Sequence, residues 1–184
     1  MKRSISLTLF IIMCIVVLWT ITTDHSDEDQ NTLVKSKRYI ELFMNDFELT
    51  SMDKEGKPGY LMTGTQLKRY SNSDDTEVTQ PVLHLLQHDN QWVINADTAF
   101  FNDKNNTIRL KDNVVMQQQN VTPAVNLRTQ SMLVHTKTQI ARTKARVNIT
   151  KGNSTLNSEG MIYNNVTSEL KLLSRVNGLY EPNE

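Results

Sequence analysis

From residue 39 onward the chain alternates apolar and polar positions in runs of eight to twelve residues, separated by turn-forming clusters. Segment 107–119 is the clearest. Ile108, Leu110, Val114 and Met116 fall on one side, and Thr107, Arg109, Lys111, Asn113 and Gln117 on the other. A period of two marks a half-buried strand. Segment 91–101 places Trp92, Ile94, Ala96 and Phe100 together, and Val125 and Leu127 alternate with Asn126 and Arg128. Further strands are predicted over 39–50, 60–70 (with Leu61 and Leu67), 77–88 (with Val78 and Val82), 132–137, 141–149, 154–159, 161–165 and 170–176. Breaks between them carry Gly, Pro, Asn or Asp, as in the spacer 53–59 with Gly56, Pro58 and Gly59, and at Gly152 and Gly160. Those residues make turns for stated reasons, glycine by accepting positive φ and proline by fixing its own. A helix over 131–143 has poor periodicity. So many short strands in succession predict an all-β, antiparallel domain over residues 39–184, a sandwich, barrel or roll.

Residues 5–22 break this texture. The run ISLTLFIIMCIVVLWTIT carries no charge, and as a helix it spans about 27 Å, close to a bilayer core. Lys2 and Arg3 precede it, while Asp24, Asp27, Glu28 and Asp29 follow. The basic side stays in the cytoplasm, which sends the rest of the chain across the membrane. No Ala-x-Ala-like site ends the run, so it reads as one uncleaved N-terminal transmembrane helix rather than a signal peptide. Residues 1–4 are then a cytoplasmic N-terminus, and the polar stretch 23–38 is a linker.

Composition narrows the chemistry. The formal net charge is zero, with 20 basic and 20 acidic side chains, so no overall basic excess points to nucleic acid. Cys14 is the single cysteine and lies in the apolar run, so the domain has no disulfide and is held by packing alone. Five Asn-x-Ser/Thr triplets, at Asn105, Asn120, Asn148, Asn153 and Asn165, follow from an Asn-, Ser- and Thr-rich composition. No nucleophile elbow, phosphate loop or dinucleotide fingerprint occurs. His84 and His88 share a strand face, yet no Cys or carboxylate cluster completes a metal site. Asp97 and Asp112 suit local hydrogen bonding better than paired acid–base work. No cofactor, metal or catalytic residue is expected.

Several motifs stand in order along the chain: Thr79-Gln80-Pro81-Val82-Leu83, then Trp92 with Ala96-Asp97-x-Ala99, then Ile108 to Val114, Leu127-x-Thr129, Gly152, Gly160-Met161 and Leu170-x-Leu172. Together with the basic N-terminus, apolar run and acidic linker, this order resembles the LptC family of the lipopolysaccharide transport machinery. Gln130 stands where some members carry an acidic residue. The resemblance implies a periplasmic β-jellyroll of the LptA/LptC type on the bacterial inner membrane. It also implies lipopolysaccharide received from the LptB/LptF/LptG ABC transporter complex and passed to LptA. Leu61, Leu67, Val78, Val82, Trp92, Ile94, Ala96, Phe100, Ile108, Leu110, Val114, Met116, Val125 and Leu127 are the expected lipid-facing interior. The N-terminal edge (Tyr39, Phe47, Leu49) is expected to meet the transporter. The C-terminal edge (Ser168, Leu170, Leu172, Tyr180) is expected to meet LptA. Gly56, Gly152 and Gly160 are expected to be structural. The competing reading is a membrane-anchored scaffold with an ordinary packed core and no lipid cargo; an envelope hydrolase using His84 and His88 is weaker still.

Overall fold

The structure is a computed structural model that describes Met13 and residues 39–52, 55–86 and 91–181. Apart from Met13, the expected membrane run lies outside the described residues, as do the linker and His88, and among the described residues no helix is long and apolar enough to cross a membrane. From residue 39 the chain forms β1 (Ile40–Met52), β2 (Pro58–Tyr70), β3 (Asp75–Thr79), β4 (Val82–Leu85), β5 (Trp92–Asn95), β6 (Thr98–Asn102), β7 (Thr107–Gln118), β8 (Val125–His135), β9 (Ile140–Lys151), β10 (Ser154–Asn164) and β11 (Glu169–Leu179). All pairings are antiparallel and join one 11-stranded sheet. No helix forms over 131–143, which is the end of β8, a turn at 136–139 and the start of β9.

A crease crosses this sheet. β3 and β4 are two halves of one line between β2 and the β5–β6 line, broken at Gln80-Pro81; β5 and β6 break at Ala96-Asp97. In β7 the register slips between Lys111 and Val114, where Asp112 and Asn113 have φ of 62° and 50°. The same line continues through slips between Thr129 and Leu133 against β9, and between Glu159 and Met161 in β10, where Gly160 has φ of 78°. It ends at Arg175 in β11, with φ of 49°. Bulges bend strands and sharpen their twist. Set side by side in neighbouring strands, they fold the sheet into two leaves. Leaf A holds β4, β5 and residues 58–63, 114–118, 125–129 and 147–151. Leaf B holds β3, β6 and residues 66–70, 107–111, 131–135, 140–143 and 161–164. Backbone bonds tie the crease together, from Gln80 N to Asp97 O (2.8 Å) and from Asp97 N to Asp112 O (3.0 Å). Asn113 Nδ2 donates to the Asp97 carboxylate at 2.6 Å, and Gln130 Nε2 donates to Asp112 at 2.5 Å. These two carboxylates therefore serve the bend.

One apolar core lies between the leaves. Met62, Leu83, Ile94, Met116 and Val147 come from leaf A, and Val78, Ile108, Leu110, Val134 and Met161 from leaf B, all at most 2% exposed. Each such side chain contributes about 1.5–3 kcal/mol by leaving water. The predicted turn at Ser158-Glu159-Gly160 is instead a bulge inside one strand, β10, because Gly160 absorbs the bend without ending the ladder.

Candidate functional site

Trp92 starts β5 in leaf A, and Tyr163 lies near the end of β10 in leaf B. The Trp92 indole N–H donates to the Tyr163 hydroxyl oxygen at 2.7 Å. Their rings meet edge to face with centroids 5.2 Å apart. This pair clasps the leaves at the rim of a cavity of about 200 Å³, whose apolar lining includes Met116, Val125, Leu127, Ile149 and Leu170. A second cavity of about 370 Å³ shares Val125 and Ile149 and continues to Leu156, Gly178, Leu179 and Tyr180 on the β11 edge. The interior thus runs as an apolar groove from the clasp to one open edge of the sheet. Burial pushes the Tyr163 hydroxyl above its usual pKa, against the opposing effect of its hydrogen bonds to Trp92 and Ser168.

Among the described residues the sheet is open at both ends: β1 pairs only with β2, and β11 only with β10. Ile40, Leu42, Phe43 and Met44 are each at least 37% exposed, so both faces of this half of β1 are uncovered. Phe47 is buried and Leu49 packs against the core, so the exposed apolar part of this edge is its first half, with Tyr39. On β11, Leu170 is exposed and Leu172 is partly buried, Tyr180 just after the strand is exposed, and Ser168 lies in the turn before it. Exposed apolar side chains on an unpaired strand are what strand addition by a partner uses.

Of the expected interior, Leu67, Val78, Trp92, Ile94, Ala96, Ile108, Leu110, Val114, Met116 and Leu127 are buried between the leaves, and Val125 packs against them. Leu61, Val82 and Phe100 are corrected. They alternate with buried neighbours and lie on the outer face. The corners at Gln80-Pro81 and Asp97 reset the alternation, so Leu83, Leu85 and Ala99 face inward instead. In β2 the inward residues of leaf A are Tyr60 and Met62, before the bend near Gly64. Sequence reasoning also missed Ile149 and Tyr163. Alternation was visible around Ile149, but nothing local in the chain marks Tyr163 as the partner of Trp92. Gly56 and Gly152 take φ of 77° and 56° in turns. His84 lies on the outer face of β4, and among the described residues no group of three metal-binding side chains converges.

Comparison with known proteins decides the family. The model for "Lipopolysaccharide-assembly, LptC-related" matches residues 7–181. The chain belongs to the LptC-related family. It is thus a component of lipopolysaccharide transport, and members of this family are transport components with a periplasmic domain anchored at the inner membrane, not enzymes. No curated protein matches. Among solved structures, LptH from Pseudomonas aeruginosa, described as the LptA homologous periplasmic component of the lipopolysaccharide transport device, is similar at 9% identity. That match has a TM-score of 0.46 and covers 79% of this chain and 96% of that one. This LptC-related chain has an all-β fold, one creased antiparallel sheet, and the apolar groove and the β1 and β11 edges are its notable surfaces.

Proposed function

We propose that this protein carries lipopolysaccharide between its leaves, without catalysis, and links the inner-membrane transporter to a periplasmic bridge protein of related fold. The observation that carries the reading is the apolar groove from Trp92 and Tyr163 to the β11 edge. Acyl chains crossing an aqueous space need a continuous apolar lining, while sugars stay wet. The exposed β1 edge suits docking on the LptB/LptF/LptG complex, and the β11 edge suits LptA, since like folds joined by strand addition would extend one groove. The membrane helix expected at residues 5–22 would keep the domain beside the transporter.

The groove is narrow in this state. An engineered cavity of about 150 Å³ takes a single benzene ring, so 200 Å³ beside the clasp accommodates little more than part of one chain. Carriage of a multi-chain lipid therefore requires the leaves to part, and the Trp92–Tyr163 pair is the contact that must break first. The test is photo-crosslinking in cells from Leu127 or Ile149 inside, against Arg109 outside. Lipopolysaccharide adducts from the interior positions alone support carriage. Equal adducts, or none, leave the anchored scaffold with a closed core as the better account.

A further inference from the structure

The zero net charge conceals a segregation. Residues 113–158 carry six basic side chains, Arg128, Lys137, Arg142, Lys144, Arg146 and Lys151, and no acidic one. The sheet gathers Arg142 and Lys144, with Arg109 and Lys111, around a hollow of about 580 Å³ on the outer face of leaf B. Leu133, Ile162 and Leu173 form its apolar floor, and Ser131 lies among them. The hollow has a local cause. β8 and β9 slip in register here, so Ser131, Met132, Thr143 and Lys144 fall between the paired residues Thr129–Val147 and Leu133–Arg142.

Register arranges the cations on two sides of β8. Arg109 of β7 and Arg142 of β9 flank Leu133 in one row. Lys111 lies beside Ser131 in the next row, and Lys144 stands across the slip. From β7 to β9 is two strand spacings, about 10 Å at about 4.8 Å each. Long basic side chains from both strands therefore reach one anion seated over β8.

The surrounding carboxylates leave most of this charge uncompensated. Asp75 takes Arg109 at 3.1 Å. Glu77 lies on the same face, but between Lys68 and Phe100, with β6 separating it from Arg109. Glu159 meets Arg175 at 2.7 Å and Arg146 at 3.9 Å, and Glu169 meets Lys171 at 3.4 Å. Asp112 accepts from Gln130 in the crease. Lys111 has the Phe100 ring, whose centre is 4.8 Å from Nζ. Among the described residues no carboxylate lines the hollow, and Arg142 and Lys144 have no ion-pair partner.

Cations and a hydroxyl converging on one spot suit a phosphate, to which Arg and Lys donate charge-assisted hydrogen bonds. The apolar floor ends at the exposed Leu173 and suits the first methylenes of an attached acyl chain. An acidic peptide is served less well. β7, β8, β9 and β10 are each paired on both sides, so the hollow offers no free edge for strand addition. We propose that the outer hollow of leaf B binds the phosphate of an anionic phospholipid headgroup, seated over Ser131 between Lys111 and Lys144 with Arg142 beside it. The site lies on the opposite side of the sheet from the apolar interior and does not depend on what that interior carries. Single exposed ion pairs are weak. Binding therefore rests on several cations meeting one phosphate while the floor covers apolar surface.

The test uses the full chain in nonionic detergent micelles, followed by backbone amide NMR. The probes are dihexanoyl phosphatidic acid, dihexanoyl phosphatidylcholine, inorganic phosphate and a hexaglutamate peptide. Phosphatidic acid should shift the amides of Ser131, Leu133 and Lys144, and should bind at least tenfold tighter than each of the other three. Lys111→Glu/Lys144→Glu should weaken it at least tenfold, with the amide spectrum outside the hollow unchanged. Lys104→Glu/Lys137→Glu makes the same charge change outside the hollow and should stay within twofold of the parent. Equal binding of inorganic phosphate reduces the hollow to a simple anion site and overturns the proposal. Equal binding of phosphatidylcholine, tighter binding of hexaglutamate, equal losses in the two double variants, or shifts confined to Ile149 and Tyr163 in the interior also overturn it.

Discussion

Trp92 Nε1 and the Tyr163 hydroxyl lie 2.7 Å apart although 71 residues separate them, and four strand pairings lie between their strands in the sheet. The bond spans the fold rather than the ladder. It closes the two leaves at the place where the apolar interior meets the outside. Tyr163→Phe keeps the ring but leaves a buried indole N–H without its acceptor. The expected cost is about 1–3 kcal/mol, read from urea unfolding, with faster amide exchange in β5 and at the end of β10. Unchanged exchange in both strands would mean that the bond does not hold the leaves.

The same pair gives an alkaline signature. Tyr163 and Tyr60 both have hydroxyls raised above the ordinary value of 10.0, chiefly by burial. Near and above pH 10 the unfolded chain releases these protons while the folded chain keeps them. Their stabilising share is whole below pH 10 and is lost as pH rises through the folded values. Stability measured at pH 9 and pH 11 should fall across that interval. The fall should be smaller in Tyr163→Phe and in Tyr60→Phe than in the parent.

The corners make neighbouring residues unequal. Leu83 is fully buried, whereas Val82 lies on the outer face, and the same holds for Met62 against Leu61. Leu83→Ala and Met62→Ala should each cost about 2–5 kcal/mol. Val82→Ala and Leu61→Ala should cost about 1 kcal/mol or less. Equal losses within either pair, by thermal or urea unfolding, would contradict the placement of the bend.

Two glycines with nearly the same φ should respond differently. Gly56 sits in open space, while a Cβ at Gly160 would lie 2.9 Å from Leu173 Cδ1 and 3.2 Å from the Thr143 carbonyl oxygen. Gly56→Ala should cost about 1–2 kcal/mol for the left-handed backbone alone. Gly160→Ala should cost more, because the bulge must also move β11 or β9. Comparing the two variants by urea unfolding separates the backbone contribution from the packing contribution.

The alternation of apolar and polar residues alone determined that this domain is all-β, and within β7 it determined which side is buried. Ile108, Leu110, Val114 and Met116 remain on one face because the slip at Asp112-Asn113 leaves the face unchanged on both sides. Nothing in the sequence at Pro81 and Asp97 marks the reset of the alternation, so the period of two carried across them puts Val82 and Phe100 on the inner face, whereas they lie on the outer one. A period of two specifies a face only while the strand is unbroken. The crease, the apposition of the leaves and the Trp92–Tyr163 clasp were decided by tertiary structure. Each depends on register between strands far apart in the chain, and no local pattern carries that information.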